Sequence, residues 1–323
     1  MRLAAGFAIT ALVALGVALR APLATMVLGL IAFGVLHNVL EIRYVAGRFA
    51  GVLRGRLLWT LIGLISGIVI CRLAAARTPE IFLAYAVLAV GVWYATRGAT
   101  LVRAGGLVAL GLALAVSLTF PAYHFVVLAH LHNVVPLFFL WEWSRRLTSG
   151  RTAFRVAQVG WVLAVPLLIL LGVFDGLAVG SPSAVVAFAG SPAAIGAPAI
   201  PPGVTIGLRF LVVFAFLQTM HYFVWVAFLP RYAPDAARAF EARVPWLRGW
   251  RAWGLGAGVG AVLAVLFVID YASGRALYAA FASYHAYLEF PVLLAMLLGL
   301  PTPARSQLVF RKTESSCQPS AAG

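Results

Sequence analysis

Apolar runs of about 20 residues recur along the whole of this 323-residue chain. An α-helix needs roughly that many residues to cross about 30 Å of hydrocarbon. So many full-length runs exceed what a soluble core could hide, and composition agrees. The chain is 63% hydrophobic and 10% charged, against about 25% charged in soluble domains. Transmembrane β-barrel strands alternate apolar and polar residues in ten-residue segments, and these runs do not. The sequence therefore predicts an all-α, polytopic helical bundle. About ten spans are expected, over 4–19, 22–42, 57–76, 79–96, 104–120, 122–143, 153–174, 204–230, 252–272 and 276–299.

The arginines give the direction. With the N-terminus inside, only Arg20, Arg72, Arg77, Arg209 and Arg275 fall on the outer side, leaving nineteen of the 24 basic residues on the inner side. That is the positive-inside bias of a multi-pass protein of the cell (inner or plasma) membrane with both termini cytoplasmic. It also accounts for the +15 net charge as contact with anionic lipid headgroups. A nucleic-acid partner is not expected, because the basic residues are dispersed through short loops and form no single patch. Cys71 lies within an apolar run and Cys317 in the polar tail, so neither a disulfide nor a CxxC metal site is expected.

Residues 1–300 form one transmembrane domain, and 301–323 read as a disordered cytoplasmic tail. The connector 175–203 is rich in Ala, Gly, Ser and Pro. Such small residues bury little surface and Pro cannot continue a helix, so 180–203 is expected to lack regular structure over most of its length. It serves either as a flexible linker or as a lid. Residues 231–251 mix charges with Trp246 and Trp250, which suggests a helix lying on the membrane surface.

Ionisable groups deep in a span are costly and mark function. All six histidines fall in spans two, six, eight and ten, which run in the same direction. His37 and Glu41, like His285 and Glu289, are four residues apart and share one helix face. Imidazole with carboxylate makes a donor set for iron, zinc or manganese. The candidate metal ligands are His37, Glu41, His130, His132, His221, His285 and Glu289, and Glu289 is also the candidate catalytic group. Several alternatives stay open at this point. Glu41 could instead pair with Arg43. His130 and His132 are two apart and face nearly opposite ways, so only one can ligate; Asn133 repeats the His37-Asn38 pair and favours His132. Gln218, one turn before His221, is expected beside it. Glu289 could orient a histidine without touching the ion.

This pattern predicts a metal-dependent membrane oxidoreductase, possessing one or two iron ions and acting on an apolar, lipid-like small molecule. A bis-histidine heme b protein and a proton-coupled transporter are the competing readings. Several intramembrane histidines also occur in membrane carotenoid dioxygenases and heme A synthases, which the chain resembles in design. It has neither the Pro-His-Gly opening nor the Glu-x-x-His-Arg block of those families, so no residue role is carried over.

Overall fold

The computed structural model describes residues 2–179 and 183–298, so the tail 301–323 lies outside the described residues. Every regular element among them is helical. Among the described residues ten helices are long and apolar enough to cross a membrane, as the hydropathy pattern predicts. These spans are Arg2–Arg20, Pro22–Arg48, Gly55–Leu73, Arg77–Ala95, Thr100–Thr119, Pro121–Arg146, Arg151–Leu170, Gly207–Tyr232, Trp250–Ile269 and Tyr271–Leu297.

The eighth span is the axis of the bundle, with 67% of its most apolar window buried; the fifth, with 6%, is peripheral. The second span packs against the eighth, ninth and tenth, the sixth against the eighth, and the tenth against the third and fourth. Spans two, six, eight and ten therefore enclose the centre. The ninth closes on the second through Gly256, where a Cβ would stand 2.9 Å from Leu36 Cδ1 and 3.2 Å from its Cα. Only a residue without a side chain lets the helices meet that closely.

Three helices depart from regularity beside a proline. The seventh and eighth spans contain π-helical turns, Gly160–Ala164 and Phe223–Phe228. Pro166 and Pro230 follow them. Proline lacks the N–H that would bond the carbonyl four residues back. The ladder widens instead: Val165 N–H bonds Gly160 and Leu229 N–H bonds Val224. The sixth span is interrupted at Val135, just before Pro136.

The connector departs from expectation. Ser183–Ala189 and Pro192–Gly196 are helices of seven and five residues, so over half of the described part of 180–203 is regular, although neither reaches three turns. It is also not a flexible linker. Val185, Val186, Ile195, Ala199 and Ile200 pack with Leu23, Val27, Leu211, Phe267 and Tyr271. Tyr123 donates to the Pro202 carbonyl (2.8 Å) and Arg275 to the Ala194 carbonyl (3.1 Å). Small residues bury little each but allow close contact, so the connector caps one end of the bundle.

At the opposite, basic end, helix Pro234–Arg243 docks on the second span. Its Ala236 carbonyl lies where a Cβ on Gly47 would be, 2.0 Å away. Arg43 pairs with Glu241, Arg48 with Glu142, and Arg146 with Asp235. The first two pairs let the second helix run on to Arg48, beyond the hydropathy limit at residue 42.

Candidate metal centre

His37, His132, His221 and His285 each lie between 11 and 15 residues from either end of their own spans. At about 1.5 Å per residue this sets all four at one depth, near the middle of the bundle. They also converge laterally. His37, Glu41, His132, His221 and His285 each offer one ligating atom, and those five atoms lie within 4.8 Å of one another. His285 Nε2 is 3.0 Å from His132 Nε2 and 3.3 Å from His37 Nε2. His221 Nε2 is 3.7 Å from a Glu41 carboxylate oxygen. The rings of His132 and His221 have centroids 4.5 Å apart.

The i,i+4 spacing brings both glutamates inward, but each serves a histidine of another helix. Glu41 faces His221, and Glu289 accepts a hydrogen bond from His132 Nδ1 at 2.9 Å. The two carboxyl groups are neighbours of each other. Glu289 stands outside the five-member ligand group and reaches it through His132. The Glu41–Arg43 pairing does not form, since Arg43 bonds Glu241. His130 is not at the centre either. Its Nε2 donates to the Ala199 carbonyl at 2.9 Å and its ring packs on Phe214, so it latches the connector. His124 bonds Ser117 away from the centre (3.1 Å). Gln218 turns to the Tyr222 hydroxyl (2.8 Å).

Two hydrogen bonds fix which nitrogens are free to ligate. His37 Nδ1 donates to the Phe33 carbonyl (3.1 Å) and His132 Nδ1 donates to Glu289. In neutral rings both Nε2 atoms then carry lone pairs, and both face His285 Nε2. A single N–H there can satisfy only one of them. Both Glu41 oxygens, both His221 nitrogens, His285 Nδ1 and one Glu289 oxygen are buried without a hydrogen-bond partner among the described residues. Each such group costs about 1–3 kcal/mol unless something fills the space between them. Nor does an arginine compensate the acids among the described residues, because Arg43, Arg48 and Arg72 are matched to Glu241, Glu142 and Glu80. Ligands about 2.0–2.2 Å from one ion lie roughly 3–4 Å apart, which is the observed nitrogen spacing. The donor set thus fits a cation shared by the lone pairs and the carboxylate.

The surroundings include groups that the sequence did not single out. Tyr222 packs on the His37 ring with centroids 4.6 Å apart, and Trp225 on His221 at 6.3 Å. Tyr278 reaches Asn38 Oδ1 (3.4 Å). Adjacency to His221 was the one available signal for Tyr222; Tyr278 gave none. The centre is closed on most sides, His37, Glu41, His221, His285 and Glu289 being buried. His132 is the least covered, its side chain 16% exposed, next in sequence to the outward-facing Leu131. No protein family matches this chain, and neither does any curated protein or solved structure.

Proposed function

We propose that this chain is a multi-pass membrane metalloprotein, an oxidoreductase with iron at the four-histidine centre and an apolar, lipid-like substrate. The observation that carries the reading is the convergence of five buried ligating atoms from four spans within 4.8 Å. Such groups are costly among apolar helices and persist where they act. His37, Glu41, His132, His221 and His285 would hold the ion, and iron in this nitrogen and oxygen set would supply activation of oxygen or water. The five atoms suit one ion, with Glu289 the sole carboxylate left over for a second.

Each protein group has a definable part in this reading. The Phe33 carbonyl and Glu289 hold His37 and His132 with Nε2 turned inward. The carboxylate on His132 raises the electron density of that ring and strengthens it as a ligand. Tyr222 and Trp225 wall the centre and keep water off it. Substrate arrives past His132, between apolar side chains that face the lipid, which selects molecules already dissolved in the bilayer. The basic end faces the cytoplasm, in keeping with the arginine bias.

Two features weigh against the competing readings. A heme b between two of these histidines needs a gap for the macrocycle, whereas the rings touch, with centroids 4.5–5.1 Å apart. A proton-coupled transporter needs a polar route away from the centre on both sides, and the connector closes one end with an apolar cap. Metal analysis of the purified protein, with an absorption spectrum, tests the proposal. The expected result is about one iron per chain, lost on His37→Ala and on His285→Ala, with no heme absorption. Metal content unaffected by either substitution would sink it.

A further inference from the structure

A cavity lies away from the metal centre, at the basic end. It is a groove of about 430 Å³ between the second span, the eighth span and helix Pro234–Arg243, within the roughly 300–1,000 Å³ of small-molecule sites. Arg43, Arg231, Arg238 and Glu241 line it, over an apolar floor that includes Pro230 and Trp253. Glu241 is already engaged, holding Arg43 and accepting from the Gly249 N–H at 2.9 Å. Those contacts and the nearby Arg248 hold its carboxyl below the ordinary carboxylate range, against the upward push of burial. The three guanidiniums therefore exceed the one carboxylate by two positive charges. Arg231 and Arg238 have no carboxylate partner among the described residues.

The position of the groove says which anion it meets. Trp246 and Trp250, on the segment that leads from helix Pro234–Arg243 to the groove's Trp253, are 63% and 78% exposed. Exposed tryptophans at the end of apolar spans mark the depth of lipid headgroups. A free soluble anion would bind a basic groove without needing an apolar floor. A phospholipid needs both, because its phosphate is joined to acyl chains that must stay in hydrocarbon. Guanidinium is also the side chain that best matches phosphate oxygens.

We propose that this groove is a binding site for an anionic membrane phospholipid, its phosphate held by Arg231 and Arg238 and its glycerol end resting on Pro230 and Trp253. The site does not depend on which metal the centre holds.

Native mass spectrometry of the full chain, titrated with phosphatidylglycerol or phosphatidylcholine, tests this. Wild type should retain one phosphatidylglycerol in preference to phosphatidylcholine. The double variant Arg231→Gln/Arg238→Gln should weaken that binding by about tenfold or more, given the usual contribution of each basic group near an anionic surface. Its metal content and monodispersity should be unchanged, since both arginines are exposed. A control of equal charge, Arg54→Gln/Arg56→Gln, should stay within about twofold of wild type. Equal loss in both variants would reveal diffuse surface attraction and overturn the site, as would no loss in either. Displacement of the lipid by millimolar inorganic phosphate would make it a free-anion site and overturn the lipid assignment.

Discussion

Glu289→Gln separates a metal ligand from a group that orients one. Glu289 is fully buried, and one of its oxygens accepts from His132 Nδ1 at 2.9 Å. Glutamine keeps the shape, and its amide oxygen can accept the same hydrogen bond. What is lost is the negative charge that makes the opposite nitrogen, Nε2, a stronger donor to the ion. Carboxylates in this position typically contribute 10–100-fold in metal affinity, or about 1.4–2.8 kcal/mol. Glu289→Gln should therefore bind iron about 10–100-fold more weakly yet fill at saturating metal. Glu41→Gln loses more, because Glu41 belongs to the group of five. His285→Ala loses most, because its Nε2 touches two of the other ligands. Equilibrium dialysis against a buffered iron series, read by elemental analysis, gives the order. Size-exclusion profiles confirm that each variant folds. If Glu289→Gln remained empty at saturation like His285→Ala, Glu289 would be a ligand and the reasoning would be wrong. Wild-type affinity would be equally damaging, since it would mean that the hydrogen bond to His132 has no effect on the ion.

Three further outcomes follow from the same structure. Reporter fusions after Arg54, Arg146 and Arg248 should read as cytoplasmic, and one near Ala194 as external; a cytoplasmic signal at Ala194 would break the ten-span topology. Gly47→Ala places a methyl 2.0 Å from the Ala236 carbonyl, so helix Pro234–Arg243 must shift, at a cost of about 1–3 kcal/mol. Thermal unfolding should register the loss and protease cleavage near residue 244 should quicken, while Gly16→Ala, with open space around it, changes neither. Asp235 feels burial pushing its pKa up, but the bond and charge of Arg146 outweigh it and hold the group below its ordinary 3.8. A depressed carboxyl stabilises the fold above its unfolded value and stops doing so as pH falls through the folded one. The small stability difference between wild type and Asp235→Asn should thus be constant from pH 7 to 5, begin to shrink near the ordinary 3.8, and be lost as pH falls through the lower folded value; a difference that grew on acidification would contradict the pairing.

The architecture was legible because hydropathy over a full span depends on many residues at once, and local exceptions do not change it. The candidate site was legible in kind, through histidines and acids that apolar helices otherwise exclude. Its partnerships were legible only in part. Arg43 lies two positions from Glu41, and residues at that spacing do not face each other on a helix. Its true partner, Glu241, lies far off in sequence on a helix that docks through Gly47. His130 and His132 each had a credible claim, and the connector decided between them by offering the Ala199 carbonyl to His130. The connector itself was misjudged because small residues predict little buried area per residue, while their close fit against Leu23 and Phe267 depends on shape that composition does not carry.

Aiming four imidazoles from separate helices at one point asks more than hydrophobic packing provides. A regular helix advances about 100° per residue, so a side chain set toward the centre dictates the facing of every residue beyond it. The eighth span escapes this after His221: the π turn Phe223–Phe228 inserts an extra residue into the ladder. That lets His221 face the metal site while Pro230 and Arg231 still reach the basic groove. On the sixth span, Pro136 withholds the bond to the His132 carbonyl, which the Val135 N–H takes instead at 3.3 Å. On the tenth span, Pro291 follows two residues after Glu289 within the helix. The second span has no such break, and its His37 and Glu41 both point inward by the i,i+4 rule alone. Two of the four histidine-bearing spans thus change register beside a proline after their histidine, whereas the second stays regular although its Arg43 also lines the groove.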